Sequence, residues 1–74
     1  MTRHSRDIPD YVLDNLDHLK QEREKHSLTV GRVAEALGVN TVTFYRYENG
    51  EAMPERRIYN RMARLFGWEV WKND

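Results

Sequence analysis

The side chains of this sequence that are spaced for chemistry fall into two groups. Asp14, His18 and Glu22 stand at i, i+4 and i+8, one face of a helix, and their oxygen and nitrogen donors could hold a metal ion. An exposed polar helix face accounts for the same residues, and no metal or other cofactor is expected. His4 lies near the start of the chain, and His26 suits the negative end of a helix dipole without a catalytic role. No Ser, His and Asp set has a spacing suited to nucleophilic catalysis, and no glycine loop cradles a phosphate. The absence of cysteine removes a disulfide scaffold, a zinc finger and a thiol nucleophile. The second group is Thr41, Val42, Tyr45 and Arg46, which place a hydroxyl, a branched aliphatic, a phenol and a guanidinium within two helical turns. That set suits contact with a patterned polar surface rather than turnover of a substrate.

The elements that position these residues must come from 74 residues, enough for one small domain and too few for an enzyme with a deep pocket. Apolar residues make up 39% and charged residues 32%, so the core is thin and leans on two Phe, four Tyr and two Trp. Twelve basic residues balance twelve acidic ones, which is unusual for a small nucleic-acid binder. A sum does not say where charges sit, however. Asp7, Asp10, Asp14, Asp17, Glu22 and Glu24 make the first part of the chain acidic, whereas Arg56, Arg57, Arg61 and Arg64 crowd a later helix. No apolar run approaches the roughly 20 residues that span a bilayer, and Met1–Asp7 leads into no apolar stretch, so a cytoplasmic protein without a leader is expected.

Residues 1–8 read as a frayed tail, 9–71 as one domain and 72–74 as the end. Pro9 starts a first helix over about 10–25, with Val12, Leu16 and Leu19 as an apolar stripe that runs on to Arg23 and His26. Thr29 caps a second helix over about 30–37, with Val30, Val33, Ala34 and Leu37 inward and Gly38 as its left-handed stop. Asn40 caps a third over about 41–48, with Phe44 and Tyr47 inward and Asn49-Gly50 ending it. A fourth, over about 55–66, buries Ile58 or Tyr59, with Met62, Ala63, Leu65 and Phe66, and Gly67 closes it. Trp68 reads as core, while Trp71 reads either as core or as a dimer contact.

Two short capped helices joined through Gly38, with small Ala34 one turn before it and Val39 as an apolar plug, form the pattern of a helix-turn-helix over about 30–48. Leu28-Thr29, Val33-Ala34, Leu37-Gly38-Val39, Phe44-x-x-Tyr47-Glu48-Asn49-Gly50 and Pro54 resemble the Cro/C1-type helix-turn-helix of lambdoid phage repressors and small bacterial regulators, over about residues 15–67. The resemblance implies a lambda-repressor-like, all-α bundle of four to five short helices. It also implies a buried ion pair between Arg23 and Glu48. Two positions depart from it: Val30 stands where many relatives have a phosphate-binding glutamine, and Glu51-Ala52-Met53 replaces a basic loop.

A recognition helix places its N-terminal residues at base edges. Thr41 then bonds base or phosphate, Val42 meets a thymine methyl, Arg46 takes guanine O6 and N7 or a phosphate, and Tyr45 rests on the backbone. Thr29 and Asn40 at the helix starts and Arg56 and Arg57 on the arginine-rich helix complete the DNA-facing set. The expected function is sequence-specific binding of double-stranded DNA by a repressor or Cro-like regulator, acting as a homodimer on a palindromic operator. The alternative is a protein-interaction module, antitoxin-like or a regulator's partner, that keeps the fold and has little affinity for DNA.

Overall fold

The computed structural model describes residues 8–72; the tail residues 1–7, with His4 and Asp7, and the last two positions lie outside them. Five helices follow in order: α1 (Asp10–Asp17), α2 (Leu19–Lys25), α3 (Val30–Leu37), α4 (Thr41–Asn49) and α5 (Arg56–Phe66). No strand occurs among the described residues, and the fold is all-α. Among the described residues no helix is long and apolar enough to cross a membrane.

The helix expected over 10–25 is two helices, broken at His18 (φ −111°, ψ 21°). In a continuous helix the His18 N–H would reach the Asp14 carbonyl. It donates instead to Asn15 O at 3.1 Å, and the His18 ring Nδ1 lies 2.9 Å from Asp14 O. A carbonyl only accepts, so Nδ1 carries the proton in this bond. The ring therefore replaces the backbone donor at the Asp14 carbonyl. The apolar stripe continues across it, with Val12 and Leu19 buried and Leu16 half-buried.

Two clusters of buried side chains hold the helices together. The larger joins Leu19, Val33, Ala34, Leu37, Phe44, Ile58, Met62 and Phe66, and so links α2, α3, α4 and α5. The smaller centres on Val12, Tyr59 and Ala63, with Ile8, Tyr11, Trp68, Val70 and Trp71 packed around them. Ile8, assigned to the tail by composition, is thus half-buried against α1 and α5. Ile58 and Tyr59 are both buried, where only one of the two was expected, and Leu65 is half-buried rather than core. Tyr59 is admitted because its hydroxyl is satisfied: it accepts from Asn15 Nδ2 at 3.0 Å and donates to Glu69 O at 3.0 Å. Burial pushes its pKa above the usual 10.0, against the lowering effect of the Asn15 bond.

Residues 68–71 fold back over this cluster. Asn60 clamps the Trp71 backbone twice, accepting from its N–H at 2.7 Å and donating to its carbonyl at 3.2 Å, while Tyr11 Oη donates to Val70 O at 2.8 Å. The Trp71 ring stands edge-on to Tyr59, centroids 6.0 Å apart, which places it in the fold.

Candidate nucleic-acid interface

The α3–α4 pair is delimited by local chemistry at all four ends. Thr29 Oγ1 accepts from the Arg32 N–H at 3.1 Å and Asn40 Oδ1 from the Thr43 N–H at 2.8 Å, so each helix starts on a side-chain cap. Gly38 and Gly50 stop them in the left-handed region, at φ 77° and 76°. At the turn, the Val39 N–H returns to Ala34 O at 3.0 Å, and Val39 packs half-buried on the larger cluster.

Arg61 completes the turn from outside the pair. Its Nη1 donates to Leu37 O at 2.8 Å, satisfying a carbonyl that the end of α3 leaves free. A Cβ on Gly38 would lie 3.0 Å from Arg61 Nη1, the far end of a flexible side chain, so it is the positive φ of residue 38 that asks for glycine. Sequence alone places Arg61 only among the arginines that crowd α5. Its acceptor is a main-chain carbonyl 24 residues away, and no residue type announces such a partner.

On α4, Phe44 is the one fully buried side chain and Tyr47 is half-buried. The Tyr47 hydroxyl is raised above its usual 10.0 by burial first and by the nearby Glu55 carboxylate second. Thr41, Val42, Tyr45 and Arg46 are all exposed. Val42 is 58% exposed and Tyr45 51%. Their spacings of three and four make them neighbours on one helix surface. The far end of α4 is tied down: Arg23 Nε donates to Glu48 Oε2 at 2.7 Å and Arg23 Nη1 to Leu28 O at 2.9 Å, with side chains 13% and 5% exposed for Arg23 and Glu48. One guanidinium therefore joins α2, the approach to α3 and the end of α4. Beyond it, the N–H groups of Glu51 and Ala52 return to Arg46 O at 2.8 and 3.3 Å and close the helix.

A family model described as a helix-turn-helix domain matches residues 17–69. The chain belongs to the helix-turn-helix domain family. Three relatives are each described as a candidate HTH-type transcriptional regulatory protein. The one from Sulfurisphaera tokodaii is 35% identical over 60 residues, 81% of this chain and 20% of that protein. The one from Pyrobaculum aerophilum is 34% identical over 56 residues, 76% of this chain and 22% of that protein. The one from Thermococcus gammatolerans is 39% identical over 56 residues, 76% of this chain and 18% of that protein. The chain thus spans about a fifth of the relatives it matches. No solved structure matches it.

Within the helix-turn-helix, Thr41, Val42, Tyr45 and Arg46 share the exposed side of α4, Asn40 stands at its start and Thr29 at the start of α3. The two remaining residues expected to face DNA, Arg56 and Arg57, sit on α5, which packs on α3. Arg56 lies 5.7 Å over the Trp71 ring, and Arg57 pairs with Glu55 at 3.0 Å, both of those side chains well exposed. The candidate metal face is otherwise engaged: the His18 ring bonds Asp14 O, and Glu22 Oε2 lies 3.2 Å from His26 Nε2. Among the described residues no group of three or more His, Asp and Glu could hold a metal ion.

Proposed function

We propose that this helix-turn-helix binds double-stranded DNA in a sequence-specific way and serves transcriptional control. What carries this reading is the surface of α4, where Val42 and Tyr45 are exposed beside Thr41 and Arg46 on a helix whose two ends are fixed. A core has no use for that side of the helix, and its mixture of one apolar branch, one hydroxyl and one guanidinium matches the donors, acceptors and methyl groups of a major groove. The Thr29 hydroxyl and the free backbone N–H groups opening α3 suit a phosphate, with Asn40 at the adjacent turn. Arg56 and Arg57 supply further phosphate contacts at the rim. The descriptions of the three relatives as regulators support the same reading.

The finer version is a Cro/C1-like repressor of the cytoplasm that occludes an operator as a homodimer. One recognition helix covers only a few base pairs, and a two-fold pair of half-sites about 34 Å apart supplies the missing affinity. With balanced net charge, sequence-independent binding is weak and the target depends on the α4 contacts. In vitro selection from random duplex DNA tests this directly: an enriched palindrome is expected, and a pool that stays random overturns the reading.

A protein-interaction role is the second reading. It is favoured by Val30 and Glu51, and by a shallow groove between α1 and the loop after α4 lined by Leu13, Asp17, Glu51, Ala52 and Met53. The slope of log K against log salt separates the two. A DNA module loses affinity steeply with salt, while a slope near zero leaves the protein partner.

A further inference from the structure

We infer that the acidic face of α1 docks on the arginine face of α5 in a second copy of this chain, a head-to-tail contact that links copies in an open series. A two-fold dimer on an operator joins like surfaces, whereas this contact joins unlike ones and does not close on itself. It stands independently of the DNA reading.

Two matched rows of charge carry the inference. Asp10, Asp14 and Asp17 stand at i, i+4 and i+7 on α1, and Arg57, Arg61 and Arg64 at i, i+4 and i+7 on α5. Each spacing puts three side chains on one face of a helix, in a row about 10 Å long. All six residues are exposed. Val12, on the side of α1 opposite the carboxylates, packs with Tyr59 and Ala63, on the side of α5 opposite the arginines. The two rows of one molecule therefore point away from each other, and among the described residues no ion pair joins them.

Each row is unfavourable to the helix that holds it. Like charges three and four residues apart repel. Asp17 closes α1 at the negative end of its dipole, and Arg57 lies in the first turn of α5 at the positive end. Little within the chain offsets this. Asp10, Asp14, Asp17 and Arg64 enter no ion pair among the described residues, and Arg57 has only the exposed Glu55. Arg61 gives one N–H to the Leu37 carbonyl and keeps its other donors.

A second copy fits the α1 face because it brings the opposite charge at the same spacing. Twelve basic and twelve acidic residues leave no net repulsion between copies. A nucleic-acid backbone, by contrast, is repelled by the three carboxylates. Exposed ion pairs each change affinity by up to about five-fold, so the contact is weak in dilute solution and grows where copies are held side by side. A phosphate on Arg57 leaves Arg61 and Arg64 for the neighbouring copy.

Sedimentation equilibrium of the whole chain without DNA tests the contact. At about 0.01 M salt the average mass should climb with concentration past that of a dimer, and at about 1 M salt that climb should vanish. Asp14→Lys with Asp17→Lys should weaken the association by more than about ten-fold, and so should Arg57→Glu with Arg64→Glu. Asp14→Asn with Asp17→Asn, which adds no repulsion, should weaken it less. Mixing the two charge-reversed proteins should restore the association, since each supplies the row that the other lacks. Lys20→Glu with Lys25→Glu changes net charge as much as the α5 reversal but spares both rows, and should keep most of the association. A mass that never exceeds a dimer at low salt overturns the inference. So does a mixture that recovers nothing, or a loss in Lys20→Glu with Lys25→Glu as large as in the α5 reversal.

Discussion

α3 and α4 are close to twins in how they are made and opposites in what they bury. They have 8 and 9 residues, start on a side-chain cap and stop at a left-handed glycine. Yet α3 buries Val33, Ala34 and Leu37 between its neighbours, whereas α4 fully buries only Phe44 and exposes Val42 and Tyr45. A helix as exposed as α4 draws little stability from its own face. It is placed instead by its ends: the Asn40 cap at one, the Arg23–Glu48 pair at the other, and Phe44 as a single anchor between them. α3 is positioned by a broad buried face, and α4 by its termini together with Phe44 and the half-buried Tyr47, which leaves one surface of α4 free to meet a partner.

The contrast breaks most visibly at Arg23. Arg23→Met removes the partner of a carboxylate that is only 5% exposed, and the loss of folding free energy should be about 3–5 kcal/mol. Urea unfolding followed by circular dichroism measures it. Converting Glu48 to Met as well should recover most of the loss, because two apolar side chains replace the pair without stranding a charge. By comparison, breaking Arg57–Glu55, whose side chains are 64% and 65% exposed, should move stability by less than about 1 kcal/mol. An unchanged melting temperature in Arg23→Met would mean that the Asn40 cap and Phe44 hold α4 without the ion pair.

What could be read in advance follows the same division. The spans of α3 and α4 were legible because caps and stop glycines are local: Thr29, Gly38, Asn40 and Gly50 act within three residues of themselves. The break at His18 was not, because the apolar stripe passes through it unchanged and the bond between the ring nitrogen and the Asp14 carbonyl leaves no mark on the spacing. Composition and spacing also left Ile58 and Tyr59 as alternatives, since burying a tyrosine depends on whether Asn15 and the Glu69 carbonyl come within reach of its hydroxyl. Arg61 and Asn60 share that difficulty: each binds main chain, at Leu37 and Trp71, and backbone atoms carry no sequence signature. The exposed set on α4 was legible in part by elimination, once Phe44 and Tyr47 were assigned inward.

Arg46 sharpens the contrast without touching the fold. Its side chain is exposed and the bonds it contributes to the loop come from its carbonyl, so Arg46→Ala should leave thermal stability unchanged. Binding to the selected duplex should weaken by about 1–3 kcal/mol, with relaxed preference at one base pair. Competition titrations against random DNA decide between two roles: equal losses on both would make Arg46 a phosphate contact.

The smallest effect is the most discriminating, because stability and binding should move in opposite directions. Gly31 is the second residue of α3, and a Cβ built there meets nothing within 4 Å. Its φ is not positive, so neither turn geometry nor packing inside the chain asks for glycine. Glycine in a helix costs up to about 1 kcal/mol relative to alanine, so Gly31→Ala should raise stability by a few tenths to about 1 kcal/mol. On the DNA reading, the N–H groups opening α3 lie against a phosphate, and an added methyl group there holds the backbone away from it. Gly31→Ala should then bind DNA a few-fold more weakly, by a similar factor on every sequence, as a phosphate contact requires. A variant that is both more stable and equally tight on DNA would show that α3 does not present its N-terminus to the phosphates, and that α4 and the α5 rim carry the interface without it.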